Sequence, residues 1–242
     1  MRALSADDII RVWEVGCRQN SAERALTLLA VASPAESTDE LRHLSLGRRN
    51  AQLLELRRRL FGSALGAFSQ CPGCGESLEF DVPVDAIDRA GLAADAAFTV
   101  ATGGYAVRFR LLDSTDLAAA AAAAGVDEAR RVLVDRCVLE ARRDDDAITA
   151  ADLPEPILRQ LATRLAEHDP QAEALIQLAC PACACEWQAP FDIASFCYTE
   201  ISALARRLLR EVHALARAYA WREADILAMS AQRRQYYLEL LG

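Results

Sequence analysis

Apolar residues return at helical spacing near both ends of the chain and at a spacing of two in its middle. Ile9, Ile10, Val12 and Trp13 share one side of a helix predicted to begin at Ala6, with Ser5 as its N-cap and Asp8 in the capping-box position. A second helix is predicted from Ala22 to Val31, ended by Ser33-Pro34. A third runs from Leu46 to Phe61, where Leu46, Leu53, Leu54, Leu56 and Leu60 form the stripe and Gly62 stands at the C-terminal cap. The whole of Met1 to Gln70 therefore reads as helical. From Phe196 to Gly242 the pattern is helical again: Ile201, Leu204, Ala205, Leu208, Val212, Leu215, Ala216 and Tyr219 make one continuous stripe, with Arg206, Arg207 and Arg210 turned away from it. A break near Ala220-Trp221 starts a short helix through Met229, and Ser230 caps a last one ending at Leu241.

The middle behaves differently. Leu78, Phe80, Val82 and Val84 alternate with Glu79 and Asp81, the period of a half-buried strand. Phe98–Thr102 and Tyr105–Leu111 flank Gly103-Gly104, a two-residue hairpin signal. Three helices are then expected: Thr115 to Ala124 capped by Ser114 and stopped by Gly125, Asp127 to Arg143 ended by the acidic turn Asp144-Asp145-Asp146, and one opened by Pro154 or Pro156 that reaches Glu167 before Asp169-Pro170. Ala172 to Ala179 is read as a strand.

Eight cysteines change this picture. Four form two Cys-Pro-x-Cys units, Cys71/Cys74 and Cys180/Cys183. A turn of this kind aims both sulfurs at one centre, and two such turns supply the tetrahedral four-sulfur shell that Zn2+ prefers. The first unit leads into a strand ending Pro83-Val84-Asp85 and the second into one ending Pro190-Phe191-Asp192, like the paired knuckles of a zinc ribbon. The 105 residues between Cys74 and Cys180 exceed the roughly 15–20 of an ordinary ribbon, so the middle reads as an insertion whose ends the metal ties together. A redox pair and two unrelated cysteine pairs are the competing readings. Cys185 is an alternative to Cys183 as ligand, whereas Cys17, Cys137 and Cys197 fall on apolar helix faces and read as small buried hydrophobes.

The expected fold is α+β: mostly helical, with a small antiparallel β zinc-ribbon core carrying a long α/β insertion. Its parts are an N-terminal helical segment (1–70), a ribbon (71–195) with inserted hairpin and helices (86–171), and a C-terminal helical segment (196–242). No apolar run approaches the roughly 20 residues of a membrane span. The first eight residues carry acid and lack a signal-peptide core, so a cytoplasmic location is expected. A net charge of −8 disfavours nucleic acid as a partner, although Arg48, Arg49, Arg57, Arg58 and Arg59 leave a local basic face open, and with it the reading of a zinc-ribbon nucleic-acid-binding factor. The chain contains no lysine, which removes a Walker A loop and a pyridoxal Schiff base. His43, His168 and His213 neighbour no recognisable nucleophile, and four cysteines close a metal's shell, so neither catalysis nor a small-molecule substrate is expected. Leu227, Met229, Arg233, Arg234, Tyr236 and Tyr237, with Leu241, are the candidate partner-binding surface.

Several passages in order along the chain add a further expectation. They are Ala25-Leu-Thr-Leu-Leu29, Leu44-Ser-Leu-Gly-Arg48 with Leu54-Glu-Leu-Arg57, Leu60-Phe-Gly62, the two knuckles and Asp169-Pro-Gln-Ala172. Near the C-terminus come Glu211-Val-His-Ala-Leu-Ala216, Ala218-Tyr-Ala-Trp221, Asp225-Ile-Leu-Ala-Met-Ser230, Arg233-Arg234 and Tyr237-Leu238. Together they resemble the T4-type baseplate hub assembly chaperone family of contractile phages and phage-like injection systems, with Ala220 where that pattern would have glycine. The resemblance implies a non-enzymatic part in building or bracing a baseplate, with hub or spike proteins as partners, in the cytoplasm or within an assembled tail-like particle.

Overall fold

The computed structural model describes residues 1–87 and 97–241. Residues 88–96 of the predicted insertion, and Gly242 at the end of the C-terminal segment, lie outside the described residues. The elements, in chain order, are α1 (Ala6–Gly16), α2 (Ser21–Ala32), α3 (Thr38–Arg42), α4 (Leu46–Phe61), β1 (Ala64–Gln70), β2 (Ser77–Pro83), α5 (Val84–Ile87), β3 (Phe98–Thr102), β4 (Tyr105–Phe109) and α6 (Ser114–Ala121). There follow α7 (Val126–Cys137), β5 (Val138–Arg143), β6 (Asp146–Ile148), α8 (Glu155–His168), β7 (Leu175–Ala179), β8 (Glu186–Pro190), α9 (Ile193–Tyr219), α10 (Glu223–Leu227) and α11 (Ala231–Glu239). The fold is α+β, as the patterns predict.

The chain divides into two compact units, one joining residues 1–36 to 194–242 and the other spanning 37–193. The predicted N-terminal segment (1–70) is therefore split, because α4 and β1 belong with the ribbon. The buried Asp169 carboxylate accepts the Gly47 N–H (2.9 Å) and the Ser45 hydroxyl (3.3 Å), while Asn50 donates to the Gln171 carbonyl (3.0 Å). The Asp169 carboxylate thus gives an acceptor to a first-turn N–H of α4 that has no partner within the helix.

In the first unit, Ser5 and Asp8 form the expected capping box. Ile9, Ile10, Val12, Leu28 and Leu29 are buried, as are Ile201, Ala205, Leu208, Val212 and Leu215 along α9. Gly16 lets Tyr198 lie against α1, where its hydroxyl donates to the Trp13 carbonyl (2.8 Å) and Arg24 sits 4.2 Å over the ring. The bend before Trp221 does occur, with Ala220 in the left-handed region (φ 55°).

In the second unit, β3–β4–β5–β6 form an antiparallel sheet. Val100, Val107, Phe109, Cys137, Ala141, Leu153, Ile157 and Leu161 make its core. Gly103 and Gly104 turn β3 into β4 with φ of 57° and 79°, the conformation glycine adopts without a Cβ penalty. Two expectations fail here. The helix predicted over Asp127–Arg143 stops at Cys137, and the rest becomes β5, paired with β4. Only Ala141 of β5 is buried, so no period of two was visible. Asp113, not Ser114, caps α6, through bonds to the N–H groups of Thr115 and Asp116.

Asp116 ties β4, α6 and α7 together. Its carboxylate is fully buried and accepts from Arg110 (2.7 and 2.9 Å), Arg136 (2.6 Å) and the Asp113 N–H (2.9 Å). Burial alone would push its pKa up, but the Arg110 hydrogen bonds, the Asp113 N–H and Arg136 outweigh it and hold it below the usual carboxylate value. A depressed folded-state pKa contributes stability above the unfolded value, about 3.9, and that contribution is lost as pH falls below it. The urea midpoint should thus drop in acid. In Asp116→Asn the midpoint should be lower at neutral pH and its acid dependence flatter.

Candidate metal centre

Each knuckle sits at the tip of a two-stranded antiparallel hairpin. β1 pairs with β2 from Ala64↔Pro83 to Gln70↔Ser77, and β7 pairs with β8 from Leu175↔Pro190 to Ala179↔Glu186. The tips are alike in their backbone bonds. Cys71 N–H donates to the Glu76 carbonyl and Gly75 N–H to the Cys71 carbonyl, both at 2.9 Å. Cys180 N–H donates to the Cys185 carbonyl and Ala184 N–H to the Cys180 carbonyl, again at 2.9 Å. Cys185 is therefore the counterpart of Glu76.

The sulfurs of Cys71, Cys74, Cys180 and Cys183 all lie within 4.8 Å of one another, and this group could hold a metal ion. Cys71–Cys183 and Cys74–Cys180 are each 3.6 Å apart. A tetrahedral shell with metal–sulfur bonds of about 2.3 Å has sulfur–sulfur edges of about 3.8 Å, so the four residues fit such an ion. None of the eight cysteines is in a disulfide. Cys185 lies outside the converging group, so Cys183 occupies the fourth corner. Cys137 and Cys197 are buried as expected, and burial pushes the Cys137 thiol up to about 11. Cys17 departs from expectation: it is exposed at the end of α1.

Electrostatics favours a cation here. Burial would raise the Cys71 thiol, but the N–H groups of Cys74 and Gly73 outweigh it and lower it to about 6. The Glu76 N–H favours the Cys74 thiolate, yet the crowding thiols of Cys183 and Cys180 push it up to about 12. Four sulfurs this close cannot all ionise without a positive charge among them, and a divalent ion removes that conflict.

The residues that shape the knuckles are the ones sequence reading missed. Gly75 and Ala184 hold equivalent positions with φ of 75° and 56°. The glycine after Cys74 was the visible signal; alanine after Cys183 hid the same requirement. The left-handed conformation costs a non-glycine residue about 1–2 kcal/mol, and glycine costs roughly 0.5–1 kcal/mol in unfolded-chain entropy. Ala184→Gly should therefore raise stability by about 0.5 kcal/mol, and Gly75→Ala should lower it by a similar amount. Urea melts of the metal-loaded variants measure both.

The predicted partner-binding residues separate. Leu227 and Arg234 are buried, and Arg234 donates to Glu211 (3.0 Å) and to the Met229 carbonyl (2.6 Å). Both serve the interior of their unit. Met229 is half-buried, Arg233 is exposed over the Tyr237 ring, and Tyr236 is 61% exposed. Tyr237 packs edge-on against Trp221 and Tyr219, which stack on each other at 4.5 Å. No helix among the described residues is long and apolar enough to cross a membrane. The chain matches no family model, no curated protein and no solved structure.

Proposed function

We propose that this chain is a non-enzymatic assembly or scaffold protein of a contractile tail or injection-system baseplate, acting through protein–protein contacts and braced by a structural zinc ion on Cys71, Cys74, Cys180 and Cys183. The observation that carries this reading is the convergence of four sulfurs from two distant knuckles. Thiolate donors at tetrahedral spacing suit Zn2+ over oxygen-seeking Mg2+ or Ca2+, and four of them leave no open position for a substrate. The ordered likeness to the baseplate chaperone family supplies the system, with hub or spike proteins as partners in the cytoplasm or in the assembled particle. Tyr236 and Arg233, exposed beside the Trp221/Tyr237 cluster, offer the kind of aromatic and arginine contact that anchors interfaces.

The alternative, a zinc-ribbon nucleic-acid binder, needs the arginines of α4 to be free. Arg49 is buried, Arg57 donates to the carbonyls of Gly62 and Ala64, Arg58 pairs with Asp85, and Arg59 pairs with Glu55. The burial of Arg49 and the carboxylate partners of Arg58 and Arg59 weigh against it. The test is co-expression with hub and spike proteins of a contractile tail. Capture of one of them, weakened when Tyr236 and Arg233 are both changed to alanine, supports the proposal. Capture of no tail protein, or retention on DNA at low salt, removes it.

A further inference from the structure

A cleft of about 380 Å³ opens in the 37–193 unit, lined by none of the four clustered cysteines. Arg110, Arg136 and His43 stand in its lining, with Leu111 and Leu139 as apolar neighbours. Two carboxylates fix these groups from behind. Asp116, fully buried and outside the lining, holds both guanidinium groups, while Arg110 and Arg136 stay 31% and 38% exposed. Asp113 does line the cleft, but its oxygens are occupied. Oδ1 accepts from the Thr115 N–H and hydroxyl and the Asp116 N–H, and Oδ2 lies 3.0 Å from His43 Nδ1. What remains open to a ligand is therefore a set of donors. Arg136 uses Nε on Asp116 and Nη2 on Thr115, which leaves Nη1 without a hydrogen bond among the described residues.

We propose that this cleft binds a carboxylate carried on a short branched apolar stem, with Arg136 and Arg110 taking the oxygens and Leu139 and Leu111 covering the stem. Asp116 holds Arg110 and Arg136 side by side, and the parts of both guanidinium groups that stay exposed match the two oxygens of a carboxylate. The apolar Leu139 and Leu111 beside them favour an organic acid over inorganic phosphate. Asp39 Oδ1 lies 3.9 Å from His43 Nε2, but it is largely exposed, outside the lining and screened by water. Leu139 is 44% exposed on a strand, and a bound stem removes that surface from water. The proposal does not depend on the baseplate reading.

The test is amide-resolved NMR of the full, metal-loaded chain titrated with isocaproate, N-acetyl-leucine, isocaproamide and inorganic phosphate. The expected result is saturable shifts at Leu111, Thr115 and Leu139 with the two acids, with a Kd on the order of 1 mM or tighter. A tighter fit for N-acetyl-leucine points to a chain terminus as the natural source, and a tighter fit for isocaproate to a free acid. Arg136→Gln should weaken binding about tenfold. Leu139→Ser, at an exposed position, should weaken isocaproate binding. The proposal is overturned if the amide binds as well as the acid, if phosphate binds more tightly, if Leu139→Ser leaves isocaproate affinity intact, or if neither acid gives a saturable shift.

Discussion

Serine in place of both Cys74 and Cys180 is expected to abolish metal binding and to cost the 37–193 unit about 4–5 kcal/mol or more. The estimate follows from the loop the ion closes. The 105 residues between these two positions gain conformational freedom once the clip is gone, and a constraint on a loop of that length contributes roughly 4–5 kcal/mol. The hairpins add to the loss, because an isolated two-stranded hairpin is marginal in water, and β1–β2 and β7–β8 are each two-stranded. Cys185→Ser, beside the cluster but outside it, should keep the metal and most of the stability. The measurement is a urea melt of each variant after purification with zinc, paired with metal content. A double variant that melts like the parent would contradict a bracing ion. Metal loss in Cys185→Ser would move the fourth ligand from Cys183 to Cys185.

Gly47→Ala should cost about 1–3 kcal/mol, although alanine is the better helix former. An added Cβ overlaps the Asp169 carboxylate at Oδ1, comes within 2.8 Å of its Cγ, and meets the Ala172 backbone nitrogen at 3.2 Å. The backbone on that side cannot swing away as a flexible side-chain tip would. The carboxylate must leave, taking with it the bond to the Gly47 N–H and the one from Ser45. A buried carboxylate left without these donors costs about 1–3 kcal/mol or more, plus roughly 1 kcal/mol for the lost cap, against about 1 kcal/mol gained in helix propensity. Gly66→Ala is the control: its added Cβ meets only the Asp81 carboxylate tip at an ordinary 3.6 Å on an exposed strand, and stability should change by less than about 0.5 kcal/mol. Equal effects at the two positions would show that Asp169 does not anchor α4.

The contrast between these sites marks what the sequence could reveal. Local signals were strong where chemistry is written in adjacent residues. Ser5 with Asp8, Gly103-Gly104, Gly62 after Phe61 and the paired knuckles each specify their conformation within a few positions, and each occurs. The stripe from Ile201 to Leu215 was legible because one face repeats for about four turns. What stayed hidden depends on distant partners. β1 buries only Leu65 fully, so its alternation is faint, and it exists because β2 pairs with it across the first knuckle. The likeness of the two knuckles held the clue, since a strand was expected before the second and not before the first. β5 is a strand because β4 offers an edge, and Asp169 caps a helix more than a hundred residues away. Arg234 reads as a surface arginine until Glu211 appears beside it.

The most direct test of the central claim is the metal itself. The protein is purified under reducing conditions, its metal content is determined, and the bound ion is examined by X-ray absorption. Expected is one zinc per chain in a shell of four sulfurs at about 2.3 Å. Protein that is folded yet metal-free, or an ion ligated by nitrogen or oxygen in place of the cysteines, would contradict it.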